Sequence, residues 1–247
     1  MDRLIYTAMS GARQLMHRQE TLANNLANLS TPGFRADMDA MRAVPLQGEG
    51  AGLGTRVLVA ASTPGADFTP GAIQSTGRDL DVAIDGDGFF TVDGGGGTEA
   101  YTRNGGFEVG ADGNLATRSG RTVMGDGGPI AVPANARIAI GKDGIVTAFV
   151  DGSRNGTALG RLKVVNPPPE ELQKRPDGLF QVIGGQAAAV DANVRIVPGA
   201  LESSNVNAVS TLVGMIALAR QYELSMKLLA NAQEGDRDAA KLLQANP

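Results

Sequence analysis

The chain has 247 residues and a formal net charge of −4, with acids and bases interleaved, which argues against a nucleic-acid binder built on a basic stripe. It contains no cysteine, so disulfides and thiolate metal sites are excluded. Aromatics make up only 4% while the 34 glycines sit mainly between Gly48 and Gly199, a composition of tight turns and short strands rather than of a low-complexity tail.

Residues 2–29 read as a long amphipathic helix. Ile5, Ala8, Ala12, Leu15, Gln19, Leu22, Leu26 and Leu29 recur at alternating three- and four-residue steps, the seam of a helix that packs lengthwise on other helices. At about 1.5 Å per residue the helix would be roughly 40 Å long, too long for a small globule to cover. Asp2, Arg3, Arg13, Arg18 and Glu20 interrupt any apolar stretch, so residues 1–30 do not read as a signal peptide. His17, the one histidine, lies off the seam and reads as a surface residue. The helix ends in Leu22–Phe34. Asn24, Asn25 and Asn28 crowd its last turns, where asparagine is a poor helix former. Thr31-Pro32-Gly33 then stops it: Pro32 has no N–H and pushes Thr31 towards extended backbone, and Gly33 can take the positive φ of a helix exit. Phe34 is expected to anchor the start of the next segment.

Residues 35–54 lose the helical period, and Gly48, Gly50, Gly52 and Gly54 mark an extended connector. Thr55–Ala60 reads as a strand, with turns at Thr63-Pro64-Gly65 and Asp67–Gly71. Residues 72–150 are strand after short strand. Leu80–Ile84 and Phe89–Val92 are expected to form a hairpin around Asp85-Gly86-Asp87-Gly88, Asp93–Gly97 a flexible tip, and Lys142-Asp143-Gly144 a further hairpin turn. Leu159–Val165, Phe180–Ile183 and Val194–Val197 add strands before Pro198-Gly199 closes the body.

Residues 204–244 are helical again, with Ser204 or Asn205 as cap. Val209, Leu212, Ile216, Ala219, Met226 and Ala230 fall on one seam, and Met215, Leu218, Tyr222 and Leu229 widen it, so contact with more than one helix is expected. Gly214 permits close approach of another backbone, and Gly235 is a point at which the helix can kink or end. The longest nearly apolar run, Leu212–Ala219, is far short of the ~20 residues that cross a bilayer.

The expected fold class is therefore mixed α and β: long N- and C-terminal helices forming a coiled-coil layer, with an all-β, short-strand, Gly-rich central body. The expected divisions are residues 1–30, the N-terminal helix; 31–75, an extended connector with short strands; 76–200, the β-rich body; and 201–247, a C-terminal helix pairing with the first. Two long helices with exposed apolar seams predict lateral assembly into a bundle.

Three separated stretches carry a resemblance. Ala23-Asn24-Asn25-Leu26-Ala27-Asn28-Leu29-Ser30-Thr31-Pro32-Gly33-Phe34 resembles the N-terminal signature of the bacterial flagellar basal-body rod and hook proteins. Leu201-Glu202-Ser203-Ser204-Asn205-Val206-Asn207-Ala208-Val209, continued by Ala219-Arg220-Gln221-Tyr222-Glu223-Leu224, resembles their C-terminal signature. Gly71–Phe90 is similar to a segment shared by the longer members. The opening Met1–Gly11 and the tail Ala219–Lys227 lean towards proximal-rod members, with distal-rod members as the alternative. The resemblance implies a structural subunit of the rod that crosses the periplasm and transmits torque. It further implies partners among other copies and neighbouring rod proteins, and passage through the flagellar type III export apparatus. No cofactor, nucleic acid or membrane insertion is implied. Asn24, Asn25, Asn28, Thr31, Pro32, Gly33, Phe34, Asn205, Val206, Asn207, Val209, Ile216, Tyr222 and Met226 are the candidate subunit-interface residues, the asparagines as hydrogen-bonding register pins.

No catalytic set presents itself: a lone histidine leaves no triad, and no Gly-x-Ser-x-Gly elbow or phosphate loop occurs. Asp79, Asp81, Asp85, Asp87 and Asp93 suggest an alternative from another class, a secreted calcium-dependent β-rich binding module. The loop has Phe89 at the fifth calcium position and no closing Glu, and hairpin turns are the commoner use of such residues.

Overall fold

Good helix formers at both ends and Gly-punctuated β-branched runs between them give two helices flanking many short antiparallel strands. The structure, a computed structural model, describes residues 2–39, 41–45, 57–61, 65–150 and 156–244. The helices are α1 (Asp2–Ala27) and α2 (Ala208–Gln244). Among the described residues no helix is long and apolar enough to cross a membrane. The chain groups into two compact units, one of Met1–Ala27, Asp37–Gly65 and Asn207–Pro247, the other of Asn28–Ala36 and Ala66–Val206.

In the helical unit α1 lies against α2, and the hairpin Met41–Pro45/Val57–Ala61 adds its second strand to α1. The close approach is visible at Gly214, where a Cβ would stand 3.1 Å from Leu22 Cδ1. Gln14, Leu15 and Asn25 are buried on α1, and Thr211, Leu218 and Leu229 on α2. At about 100° per residue Thr211, Leu218 and Leu229 share one face, and the expected seam Val209/Leu212/Ile216 lies on the other side, exposed.

Several expectations are corrected here. The first helix stops at Ala27 rather than residue 29, because Thr31 N–H turns back to the Asn28 carbonyl at 3.2 Å and Gly33 takes φ 67°. Residues 31–75 are not one connector. Residues 41–45 and 57–61 pair as a hairpin beside α1, whereas 28–36 and 66–75 are hydrogen-bonded into the β unit. The glycines between 48 and 54, together with Thr55, Arg56, Thr63 and Pro64, lie outside the described residues. The second helix starts at Ala208, since Asn207 Oδ1 takes the Ser210 N–H at 3.0 Å and the Asn205 amide is engaged elsewhere. It runs through Gly235 without a break.

The β unit centres on a five-stranded antiparallel sheet in the order Val164–Val165, Phe89–Gly95, Thr98–Thr102, Phe180–Val182, Leu172–Lys174. A three-stranded sheet joins Ala136–Ile140, Ile145–Val150 and Thr157–Arg161. Smaller pairs join Val82–Asp85 to Arg195–Pro198, Phe107–Val109 to Leu115–Thr117, and Ile73–Ser75 to Ala200–Glu202. Neighbouring strand residues point to opposite faces. Phe90 accordingly enters the larger core with Val82, Ile84, Phe107 and Leu115, and Phe89 a second core with Tyr101, Val165 and Phe180.

Val82–Asp85 does not form a hairpin with Phe89, as the local alternation suggested. Its ladder partner is Arg195–Pro198, and Asp85–Gly88 carries the chain to the next sheet. The Asp93–Gly97 tip holds a two-residue turn at Gly96-Gly97. Gly96 and Gly97 take φ 64° and 79°, the sign such hairpin turns need, and Asp93 Oδ1 accepts the Gly95 N–H at 2.9 Å.

Candidate functional site

The sequence places the two terminal signatures far apart, and the fold joins them inside the β unit. Residues 28–36 belong to no helix or strand and are held by side chains and by isolated backbone hydrogen bonds. Asn28 Oδ1 accepts the Thr31 hydroxyl at 3.1 Å, and Pro32 is half-buried. Gly33 N–H donates to the Glu202 carbonyl at 2.8 Å. A Cβ at Gly33 would fall 2.3 Å from the Arg103 carbonyl carbon, so close approach as well as positive φ requires glycine here. Phe34 is buried with Lys174 Nζ 4.0 Å over its ring, and the same ammonium donates to the Arg35 carbonyl at 2.7 Å.

The centre of the join is three charged side chains that the sequence reading did not single out. Arg35, Arg103 and Glu202 are 3%, 2% and 1% exposed. Arg35 Nη1 lies 2.6 Å from Glu202 Oε1 and Arg103 Nε 2.7 Å from Glu202 Oε2, so one carboxylate takes a guanidinium on each oxygen. Glu202 Oε1 also accepts the Gly71 N–H at 2.8 Å. Arg103 donates onward to the Gly88 carbonyl at 2.7 Å and the Ile84 carbonyl at 3.3 Å, closing the two ends of the Asp85–Asp87 turn. Burial holds the Arg35 guanidinium below its ordinary pKa, with the Glu202 charge pulling it back up. A cavity of about 350 Å³ opens beside these groups, walled by Phe68, Phe89 and Pro167–Pro169. A signal did exist: Ala200-Leu201-Glu202 alternates, and period two puts Glu202 on the buried face with Ala200, where an acid needs a partner.

The five expected asparagines all make hydrogen bonds within the chain. Asn25, buried on α1, satisfies both backbone groups of Asp37: its Nδ2 donates to the carbonyl at 3.0 Å and its Oδ1 accepts the N–H at 2.7 Å. Asn24 Nδ2 donates to Asp37 Oδ2 at 2.9 Å. Asn205 Oδ1 accepts the Ala36 N–H at 2.8 Å, and its Nδ2 donates to the Asp67 and Thr69 carbonyls at 2.8 and 3.0 Å. Asn207 caps α2, and Val206 N–H donates to Ser204 Oγ at 3.2 Å. Val209 and Ile216 are 72% and 58% exposed, Met226 is exposed and Tyr222 half-buried. Val213, Leu224 and Leu228 share the exposed side of α2 and were not singled out.

His17 sits on the surface with Glu20 Oε2 at 3.5 Å. Asp79 binds Arg137, and Asp81 is buried with Arg78 and Arg118 at 3.4 and 3.7 Å. Among the described residues no group of three His, Cys, Asp or Glu side chains is placed to hold a metal ion.

The comparisons agree with the geometry in weighting both chain ends. Residues 5–35 match the family described as "Flagella basal body rod protein", residues 83–148 the "Flagellar hook protein FlgE/F/G D1 domain", and residues 197–242 the "Flagellar basal body rod FlgEFG protein C-terminal". The chain is 46% identical to the flagellar basal-body rod protein FlgF of Salmonella typhimurium, over 98% of this chain and 99% of the relative. It is equally similar to FlgF of Escherichia coli K12, at 46% over the same shares. The flagellar basal-body rod protein FlgG of Bacillus subtilis is 32% identical over 95% of this chain and 96% of its own. The chain belongs to the flagellar basal-body rod protein family and is an FlgF-like structural subunit of that rod.

Proposed function

We propose that α1 and α2 enter a coiled-coil layer made with further copies of this chain and with neighbouring proximal- and distal-rod proteins, and that the assembled shaft transmits torque. One observation carries the reading. α2 has two apolar faces, and the chain covers one. Thr211, Leu218 and Leu229 are buried, while Val209, Leu212, Val213, Ile216, Leu224 and Leu228 form an apolar stripe open to solvent along about five turns. Of the expected interface residues on α2, Val209 and Ile216 belong to this stripe, whereas Tyr222 and Met226 lie nearer the covered face. The asparagines act indirectly, by fixing the segments that present the helices. Delivery by the flagellar type III export apparatus follows from the family resemblance.

The test is a Val213→Asp/Ile216→Asp double variant. Both sites are exposed, so the purified chain is expected to keep its fold by circular dichroism. It is expected to be missing from isolated basal bodies, and the cells not to swim. A double variant that enters basal bodies at wild-type levels and supports swimming would contradict the proposal.

A further inference from the structure

Force passing between the two units has four covalent routes: the backbone crosses between them at residues 27/28, 36/37, 65/66 and 206/207. Three of these crossings end, on the β side, in two segments. Residues 28–36 carry the first two, and the segment after Gly199 carries the last. Neither is woven deeply into a sheet: residues 28–36 lie in no ladder, and Ala200–Glu202 pairs with the short exposed strand Ile73–Ser75. What joins them is Glu202. Its carbonyl takes the Gly33 N–H and its carboxylate holds Arg35, while three residues on Asn205 holds Ala36 and donates its own N–H to the Phe34 carbonyl at 3.3 Å.

We infer that Glu202, clamped between Arg35 and Arg103, is the mechanical anchor of the subunit: the residue through which load on three of the four crossings reaches the β core. Arg103 completes the path. Its guanidinium holds the Ile84 and Gly88 carbonyls, at the ends of the strands that supply Val82, Ile84, Phe90 and Val92 to the larger core. Charge-assisted hydrogen bonds are the strong ones, and exclusion from water strengthens them further. Residues 28–36 are also held by Arg35 Nη1 donating to the Thr69 carbonyl at 2.8 Å, by neutral hydrogen bonds, by the Lys174 contacts and by the buried ring of Phe34, but only Glu202 ties them to the segment after Gly199 through a buried charge pair. Glu202 is thus a positioning residue for the rod role, and the inference rests on the torque-transmitting reading above.

Full-length Glu202→Gln, with Lys174→Met as a gentler second variant, tests this by amide hydrogen exchange. Glu202→Gln is expected to speed exchange in peptides covering residues 28–36 by about tenfold or more, and Lys174→Met by about threefold, with Phe89–Gly95 unchanged. Cells carrying Glu202→Gln are expected to stop swimming at a lower medium viscosity than wild type. Unchanged exchange over residues 28–36 in Glu202→Gln, or a smaller change there than in Lys174→Met, overturns the anchor. Faster exchange with wild-type swimming at every viscosity overturns its mechanical role. Failure of the rod reading itself would show differently, as absence of the wild-type chain from isolated basal bodies.

Discussion

Arg35 and Glu202, from opposite ends of the chain, form a 2.6 Å ion pair with side chains 3% and 1% exposed. A pair so buried gives up two hydration shells, and its geometry has to compensate. Here the Gly71 N–H and Arg103 Nε supply the further partners of the carboxylate. The pair is therefore less a source of net stability than a specification of which segments meet.

Arg103→Met should destabilise the β unit strongly. It removes one of two cations from a buried carboxylate and strips the Ile84 and Gly88 carbonyls of their donor. Breaking one side of a buried network typically costs about 3–5 kcal/mol. Urea unfolding followed by tyrosine fluorescence measures it, and a loss below about 1 kcal/mol would be at odds with the network being fully engaged.

The glycines separate into two groups with opposite expected signs. A Cβ at Gly105 would stand 1.8 Å from the Val82 carbonyl oxygen, so Gly105→Ala forces backbone apart at a cost on the order of 1–3 kcal/mol. Gly235 meets nothing within 4 Å and lies inside α2, so Gly235→Ala should stabilise that helix by about 1 kcal/mol. Gly214→Ala should gain less or lose, because its Cβ pushes on Leu22. Thermal melts of the three variants decide the ordering.

The asparagines should differ by depth rather than by signature. Asn25→Ala strands both backbone groups of Asp37 and should cost about 1–3 kcal/mol. Asn207→Ala removes a helix cap worth about 1 kcal/mol. Asn24 is exposed, and its replacement should stay within about 0.5 kcal/mol. Equal effects at all three positions in denaturant titrations would contradict the bonding pattern.

Alkaline pH should find Tyr101. Burial raises its pKa above the ordinary tyrosine value, while its hydroxyl accepts the Ala188 N–H at 2.7 Å. The folded state therefore keeps a proton that the unfolded state releases near pH 10. The resulting stability is present below about pH 10 and is lost as pH rises above it. Tyr101→Phe should lower stability at neutral pH by about 0.5–1.5 kcal/mol and flatten the alkaline decline. A decline as steep as wild type would assign it to other groups.

Periodicity made the two helices and most strands of the body legible, because 3.6- and 2-residue repeats are local. Pairing was less so. Leu80–Ile84 and Phe89–Val92 look like hairpin arms, yet the ladder partner of Val82–Asp85 is Arg195–Pro198, reached only after the whole body has folded. The apolar surface of α2 is broad in the sequence, but which half faces α1 is set by Gly214 and Leu22 in three dimensions. The candidate site was half visible. The asparagines stood out for their composition, while Arg35, Arg103 and Glu202 did not, because a lone charge in a sequence carries no mark of burial.

The most direct test of the central claim is electron cryomicroscopy of isolated basal bodies at a resolution that places this subunit. The account predicts the Val209–Val213–Ile216 face of α2 packed against helices of neighbouring subunits, with Arg35, Arg103 and Glu202 still joined inside each copy. A rod in which that face meets solvent, or from which the chain is missing, would contradict it.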